Sequence, residues 1–284
     1  MVNEPRVLLY HGVIPKQRGL NCDVLKVIYQ EDFERQLKVV KKIFNILHPM
    51  EYLELRSKEK LPPRSLLITF DDGFDNIFRY ALPVAEALKI PITVFCCTQN
   101  IKEKKWLWFS RLYASQLRQI EGWKKIEKQY QEKSILWINE ALHRITAPDF
   151  NNGIPLEHLL FSGVSEADLK KHAQNEYLII GGHTGTHPRL TNETEEKVYQ
   201  EIKSNKAYLE SIIEKPISMF AYPEGDYDEQ TARLVRNAGY TIAFAVEKKR
   251  QNFPGFLEAY QIPRTGIYKT NIPYLLAKIW LRKP

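Results

Sequence analysis

The sequence predicts an α/β fold in which parallel strands alternate with crossover helices, wound into a barrel or into an open sheet covered on both faces. Two observations carry this expectation. Six short apolar runs rich in β-branched and aromatic residues recur at residues 6–10, 66–70, 92–97, 177–180, 217–222 and 241–246. Between them lie segments of helical period. The composition, 44% hydrophobic and 26% charged over 284 residues, excludes a disordered or collagenous chain and supplies a core. The length suits one large domain, since α/β barrels routinely exceed the usual domain size, and the whole of 1–284 is expected to form it.

The first run leads into His11. A helix follows, because Phe33, Leu37, Val40, Phe44 and Leu47 recur at intervals of four and three and share one face. The second run ends at Asp71 and Asp72, and the third holds Cys96 and Cys97, which read as small core residues. The rhythm then breaks over residues 101–162. This helical, basic stretch holds Trp106, Trp108, Trp123 and Trp137 of the five tryptophans, so it is expected to pack on the body as an insertion. After the fourth run, Asn192 is expected to cap a helix to about Glu214, with Glu195 reaching back. A helix over 228–237 stops at Gly239. The stripe Leu275, Leu276, Ile279 and Trp280 marks a final helix docked on the body.

Lys+Arg 41 against Asp+Glu 34 gives a net charge of +7, a regional excess that does not argue for nucleic acid. Residues 101–137 alone carry nine basic and four acidic side chains. Within them Trp106, Leu107, Trp108 and Phe109 form either a sugar-stacking or membrane-surface patch, or an amphipathic helix whose aromatic face is core. Three cysteines, Cys22, Cys96 and Cys97, lack disulfide or CxxC spacing, which fits a reducing compartment. Without a leader-like or membrane-spanning run, the expected location is cytoplasmic.

The polar residues of interest follow strands. His11 follows the first, Asp71 and Asp72 the second, His183 and His187 the fourth, and Pro223-Glu224-Gly225 the fifth. Parallel α/β folds build active sites at the carboxyl ends of strands, so these segments are expected to converge. The carboxylates of TFDDGFDN are either turn residues with Asp75 or Asn76 capping a helix, or an acid–base pair. The imidazoles of GGHTGTHPRLTN are either structural or close enough to share a metal ion. Two histidines and one carboxylate would leave coordination positions open for water and substrate. The second carboxylate would then act as base for a water whose pKa the ion lowers toward ~7.

TFDDGFDN, HTGTH and FAYPEGDYD, in this order, resemble the polysaccharide deacetylase family, the NodB-type carbohydrate esterases of carbohydrate esterase family 4. The resemblance implies a distorted (β/α)7 barrel, with the helical insertion placed after the third strand. It also implies metal-dependent removal of an N-acetyl group from a sugar, polysaccharide or glycoconjugate, making carbohydrate the partner. By the same likeness Asp71 is the catalytic base, and Asp72, His183 and His187 ligate one divalent ion, Zn²⁺ before Co²⁺, Ni²⁺ or Fe²⁺. The backbone N–H of Glu224 would help hold the oxyanion. Two features depart from the pattern. Many members carry an arginine before the Pro-Tyr of the third motif, where this chain has Phe220-Ala221-Tyr222-Pro223-Glu224, and no late Leu-x-His supplies the general acid. The circularly permuted branch takes its acid from a Tyr-His context on an N-terminal strand, which here is His11. Arg264, in IPRTGI, would replace the missing arginine beside the base. An Fe(II) oxygenase, a non-catalytic carbohydrate-binding relative, and an O-deacetylase or deformylase on a lipid-linked sugar are the rival functions.

Overall fold

Alternate residues of a strand face opposite sides, so a parallel sheet closed on itself sorts its side chains into an inner and an outer set. The computed structural model describes residues 5–16, 26–116, 128–143, 155–246, 251–269 and 271–280. Among them seven parallel strands form a closed barrel: β1 (Arg6–Tyr10), β2 (Ser65–Phe70), β3 (Ile92–Cys96), β4 (Leu178–Gly182), β5 (Met219–Ala221), β6 (Ile242–Val246) and β7 (Ile262–Gly266). The order is β1-β7-β6-β5-β4-β3-β2, and β1 closes the ring by pairing with β2 from Arg6↔Leu66 to Tyr10↔Phe70. On its other edge β1 meets β7 at Leu8↔Thr265 and Leu9↔Gly266. The barrel is thus the (β/α)7 form expected from the motifs.

Inside, Val7, Leu67, Phe95, Met219, Phe244 and Ile262 pack into a cluster of their own, joined by Leu47 and by Tyr52 of the helix Pro49–Ser57. Outside, Leu8, Ile68, Phe70, Phe220 and Ala243 belong to the larger core beneath the helices. Counting in twos from the inner cluster leads along β1 to Leu9 and His11, along β2 to Thr69 and Asp71, and along β7 to Arg264. The barrel's packing parity therefore aims these polar side chains at its open end.

Several elements differ from expectation. β7 was not anticipated, because Pro263 and Arg264 interrupt its apolar pattern; Pro263 lacks an N–H, yet the strand still aligns with β6 at Pro263↔Ala245. The helix Gln30–Ile43 buries Phe33, Leu37 and Val40 as its period predicts, but stops at extended Phe44. The chain then pairs Asn45–Ile46 with β2, which turns Leu47 from the helix face into the barrel. Thr194, rather than Asn192, caps the helix Glu195–Ile213 by accepting from the Lys197 N–H. Asn192 lies in a 3-10 turn and donates to the Gln131 carbonyl at 2.8 Å, tying this turn to the insertion. The helix Glu229–Asn237 starts from an Asp228–Thr231 capping box, and the final helix Ile272–Trp280 buries Leu275 and Ile279.

Between β3 and β4 the insertion contributes the helices Trp108–Gln116, Ile135–His143 and Pro155–Phe161. Trp106, Leu107 and Trp108 are buried, so these three are core, whereas Phe109 is half-buried and lines a cleft. Trp123 and Cys22 lie outside the described residues. No helix among the described residues is long and apolar enough to cross a membrane.

Candidate active site

Arg264 is fully buried and grips Asp71 in a bidentate pair, Nη1 to Oδ1 at 2.6 Å and Nη2 to Oδ2 at 2.7 Å. Burial by itself would raise the Asp71 carboxyl, but the charge and hydrogen bonds of Arg264, with His183 beside it, outweigh that and hold it at about 2. Asp71 is therefore ionised at neutral pH and aimed by a group that does not deprotonate. Removing one partner of a buried pair strands the other charge, so Arg264→Met is expected to lower stability by about 3–5 kcal/mol. Urea denaturation measures this; a loss of only about 1 kcal/mol, the scale of an exposed pair, would contradict it.

The two imidazoles stand on the loop leaving β4. The His183 Nδ1 lies 2.7 Å from the Ala221 carbonyl oxygen, a contact that places the proton on Nδ1 and leaves the Nε2 lone pair for the site. Left-handed backbone recurs here, with φ of 73° at Asp72, 68° at Thr184, 59° at His187 and 55° at Glu224. Such conformations persist only where surrounding contacts enforce them. Around Thr184 and His187 the enforcing groups come from the helix Glu195–Ile213. Glu201 Oε2 accepts from the Gly185 and Thr186 N–H groups at 2.8 and 2.9 Å, and Oε1 accepts from the Thr186 hydroxyl at 2.8 Å. One turn on, Asn205 Nδ2 donates to the carbonyls of Cys96 at 2.9 Å and Thr184 at 2.6 Å. From the insertion, the Trp108 indole donates to the His187 carbonyl at 2.9 Å.

Asp72 Oδ1 is buried without a hydrogen-bond partner, 3.6 Å from His183 Nε2 and 3.5 Å from His187 Nε2. Two ligands each ~2.1 Å from a tetrahedral ion stand about 3.4 Å apart, so these separations suit coordination better than hydrogen bonding. Burial, then the adjacent Asp71 charge, push the Asp72 carboxyl well above its usual range, a penalty that a cation would reverse. The donor set thus fits a divalent ion. Cys97 is a buried core residue as expected, and its sulfur, an Asp72 oxygen and a His183 nitrogen lie within 4.8 Å of one another; His187 approaches this group through Asp72.

A cleft holding about 950 Å³, part of it open to solvent, lies over these residues. His11, Lys26 and Tyr268 form one side, with the His11 and Tyr268 rings 5.8 Å apart. Burial first, and the Lys26 charge next, push the His11 imidazole down to about 3. Glu224 lines the cleft in a left-handed turn that only glycine can follow at 225, where a Cβ would lie 2.4 Å from the Val246 backbone nitrogen. The insertion supplies apolar lining through Phe109, Tyr113, Leu160 and Phe161, with Phe109 edge-on to the His187 ring at 4.9 Å.

Of the seven residues singled out from sequence, His11, Asp71, Asp72, His183, His187 and Glu224 line this cleft, and Arg264 lies buried beneath it on Asp71. Sequence reasoning did not bring Lys26, Trp108, Glu201, Asn205 or Tyr268 to the site. A signal existed for two of them: Glu201 and Asn205 interrupt, one turn apart, the buried stripe of Val198, Ile202 and Leu209.

Barrel and site together define an α/β-barrel hydrolase. The polysaccharide deacetylase family model matches residues 58–243. The chain is 23% identical over 252 residues, 88% of its length and 71% of the relative's, to the poly-beta-1,6-N-acetyl-D-glucosamine N-deacetylase of Staphylococcus aureus. Among solved structures, the Streptococcus pyogenes deacetylase PplD in complex with acetate aligns over 100% of both chains at a TM-score of 0.66 and 16% identity. IcaB from Ammonifex degensii aligns over 97% of both chains at 0.65 and 21% identity. This chain belongs to the polysaccharide deacetylase family. The matched segment begins after β1 and ends before β7, so His11 and Arg264 come from strands outside it.

Proposed function

We propose that this protein hydrolyses the N-acetyl group of an N-acetylated sugar within a polysaccharide or glycoconjugate, using a divalent ion held by Asp72, His183 and His187. The observation that carries the proposal is the side-by-side placement of Asp71, kept ionised by Arg264, and Asp72, buried and orphaned between two imidazoles. Mixed nitrogen and oxygen donors favour Zn²⁺, with Co²⁺, Ni²⁺ and Fe²⁺ as substitutes. Such an ion supplies Lewis-acid polarisation of the acyl oxygen and a lowered water pKa.

The chain's own groups do the rest. Asp71 accepts the proton of the attacking water, and Arg264 fixes the direction of its carboxylate. The Glu224 N–H, presented by the left-handed turn, donates to the developing oxyanion. His11 then donates to the departing amine. Burial and Lys26 keep its ring neutral in the resting site; as negative charge develops beside it the ring takes up a proton from solvent and passes it to the amine nitrogen as the C–N bond breaks. An Fe(II) oxygenase would leave the Asp71–Arg264 pair and the Pro-Glu-Gly turn without roles.

Acetate release from N-acetylglucosamine oligosaccharides by metal-loaded protein, abolished by a chelator and restored by Zn²⁺, is the expected result. Release that continues undiminished in the metal-stripped protein would refute the metal-dependent reading. Glu201→Gln, which removes one of the loop's acceptors without touching a ligand, should keep the fold and lower metal affinity about 10–100-fold, the scale of outer ligand-orienting contacts. Competition against a chromophoric chelator checks it; unchanged affinity would show that the loop holds without Glu201.

A further inference from the structure

Gly266 ends β7 in the inward register of Ile262 and Arg264, so the inner face of the barrel has no side chain of its own at this point of the mouth. Tyr268 fills the place. A Cβ on Gly266 would lie 2.3 Å from the Tyr268 hydroxyl oxygen and 2.5 Å from its Cζ, which puts the phenol tip over the mouth, and Tyr268 lines the cleft with His11, Asp71 and Glu224. Leu9 pairs with Gly266, so His11 and Tyr268, each two residues further on, come side by side with their rings 5.8 Å apart. The backbone is fastened on both sides of Tyr268. The Ile267 N–H donates to the Leu9 carbonyl at 2.9 Å, and Gln36 Nε2 donates to the Lys269 carbonyl at 2.8 Å. Burial pushes the Tyr268 hydroxyl above the usual phenol range, so it stays a protonated donor. Among the described residues that hydroxyl has no hydrogen-bond partner, and no step of the reaction above uses it.

We infer that Tyr268 is a substrate-binding residue whose hydroxyl hydrogen-bonds a hydroxyl of the sugar that carries the leaving amine, making the site selective for N-acetylated sugars over other acetylated compounds. The inference rests on the deacetylase reading above and adds recognition of the half of the substrate that reading leaves without a contact. The placement decides which half. Asp72, His183, His187 and the Glu224 N–H serve the acyl group, and His11 serves the nitrogen. A group beside His11 therefore meets what is bonded to that nitrogen, a ring bearing hydroxyls. A phenol both donates to and accepts from a hydroxyl, and a site built to bond a substrate hydroxyl discriminates against analogues that lack it.

In the Zn²⁺-loaded full-length protein, Tyr268→Phe should lower kcat/KM for acetate release from N-acetylglucosamine oligosaccharides about 10-fold, the scale of one neutral hydrogen bond. The loss should fall chiefly on KM, with phenyl acetate hydrolysis and zinc content unchanged. Phenyl acetate carries the same acyl group and no sugar, so an equal loss on both substrates would assign Tyr268 to the acyl group or to the fold and overturn the inference. Gly266→Ala keeps the phenol but displaces it, and should reproduce the loss on the sugar; an unchanged rate there would also overturn the inference. Among monodeoxy analogues of the sugar, the one lacking the bonded hydroxyl should be hydrolysed equally with and without the Tyr268 hydroxyl, and a 10-fold difference persisting on every analogue would overturn it. Wild-type protein that releases no acetate from the oligosaccharides would overturn the deacetylase reading and this inference with it, whereas release that Tyr268→Phe leaves unaltered would overturn the inference alone.

Discussion

Asp71→Asn should retain metal and lose about 10²–10⁴-fold in turnover, whereas Asp72→Asn should lose metal as well. The first figure is the usual scale of a general base. The contrast follows from the environments of two adjacent carboxylates. Asp71 has both oxygens committed to Arg264, so its charge serves a fixed position near the reacting water. Asp72 has an oxygen committed to nothing in the protein and two imidazole nitrogens within 3.6 Å. Elemental analysis beside single-turnover acetate release separates the two. Equal metal retention in both variants would mean that the roles are misassigned. Asp71 also links stability to pH. Its folded pKa lies below the unfolded carboxylate's ~3.9, so its stabilising contribution is complete above that value and is lost as pH falls toward about 2.

His11→Ala should leave fold and metal content unchanged and lower N-deacetylation about 10²–10⁴-fold, the scale of a lost proton donor. An amine cannot depart as its anion near neutral pH, so cleavage of the C–N bond waits on a proton. A phenolic ester has a leaving group that needs none, and its hydrolysis by the same variant should fall far less. The contrast between substrates separates proton delivery from damage to the site, which would depress both. Among the histidines, His183 and His187 are engaged with Asp72, whereas His11 faces the cleft beside Tyr268. Amide hydrolysis at the unaltered rate would place the acid elsewhere.

The parts of this molecule legible in the sequence are those set by local periodicity. Six barrel strands are legible as apolar runs, and the residues just beyond them are the candidates for chemistry because parallel α/β barrels build their sites at those ends. β7 stayed hidden because its inward position is filled by a charge: Arg264 occupies the place of an aliphatic residue, and its compensation by Asp71 lies 193 residues away. Glu201 and Asn205 were obscured for the same reason, since their partners are backbone groups of a distant loop.

The closure of the ring through β1 has a kinetic consequence. β1 is bonded on one edge to β2 and on the other to β7, so its second partner is contributed by the far end of the sequence. The same ends meet again where Arg6 donates to the Ile279 carbonyl across 273 residues. Contacts of such long range form late, because the loop-closure entropy comes before the reward. Until β7 docks, Asp71 lacks the guanidinium that makes its burial tolerable, so the candidate site is completed only with the last strand. Refolding followed by far-ultraviolet circular dichroism should therefore run ahead of the recovery of deacetylase activity, the site being the last region of the molecule to become native.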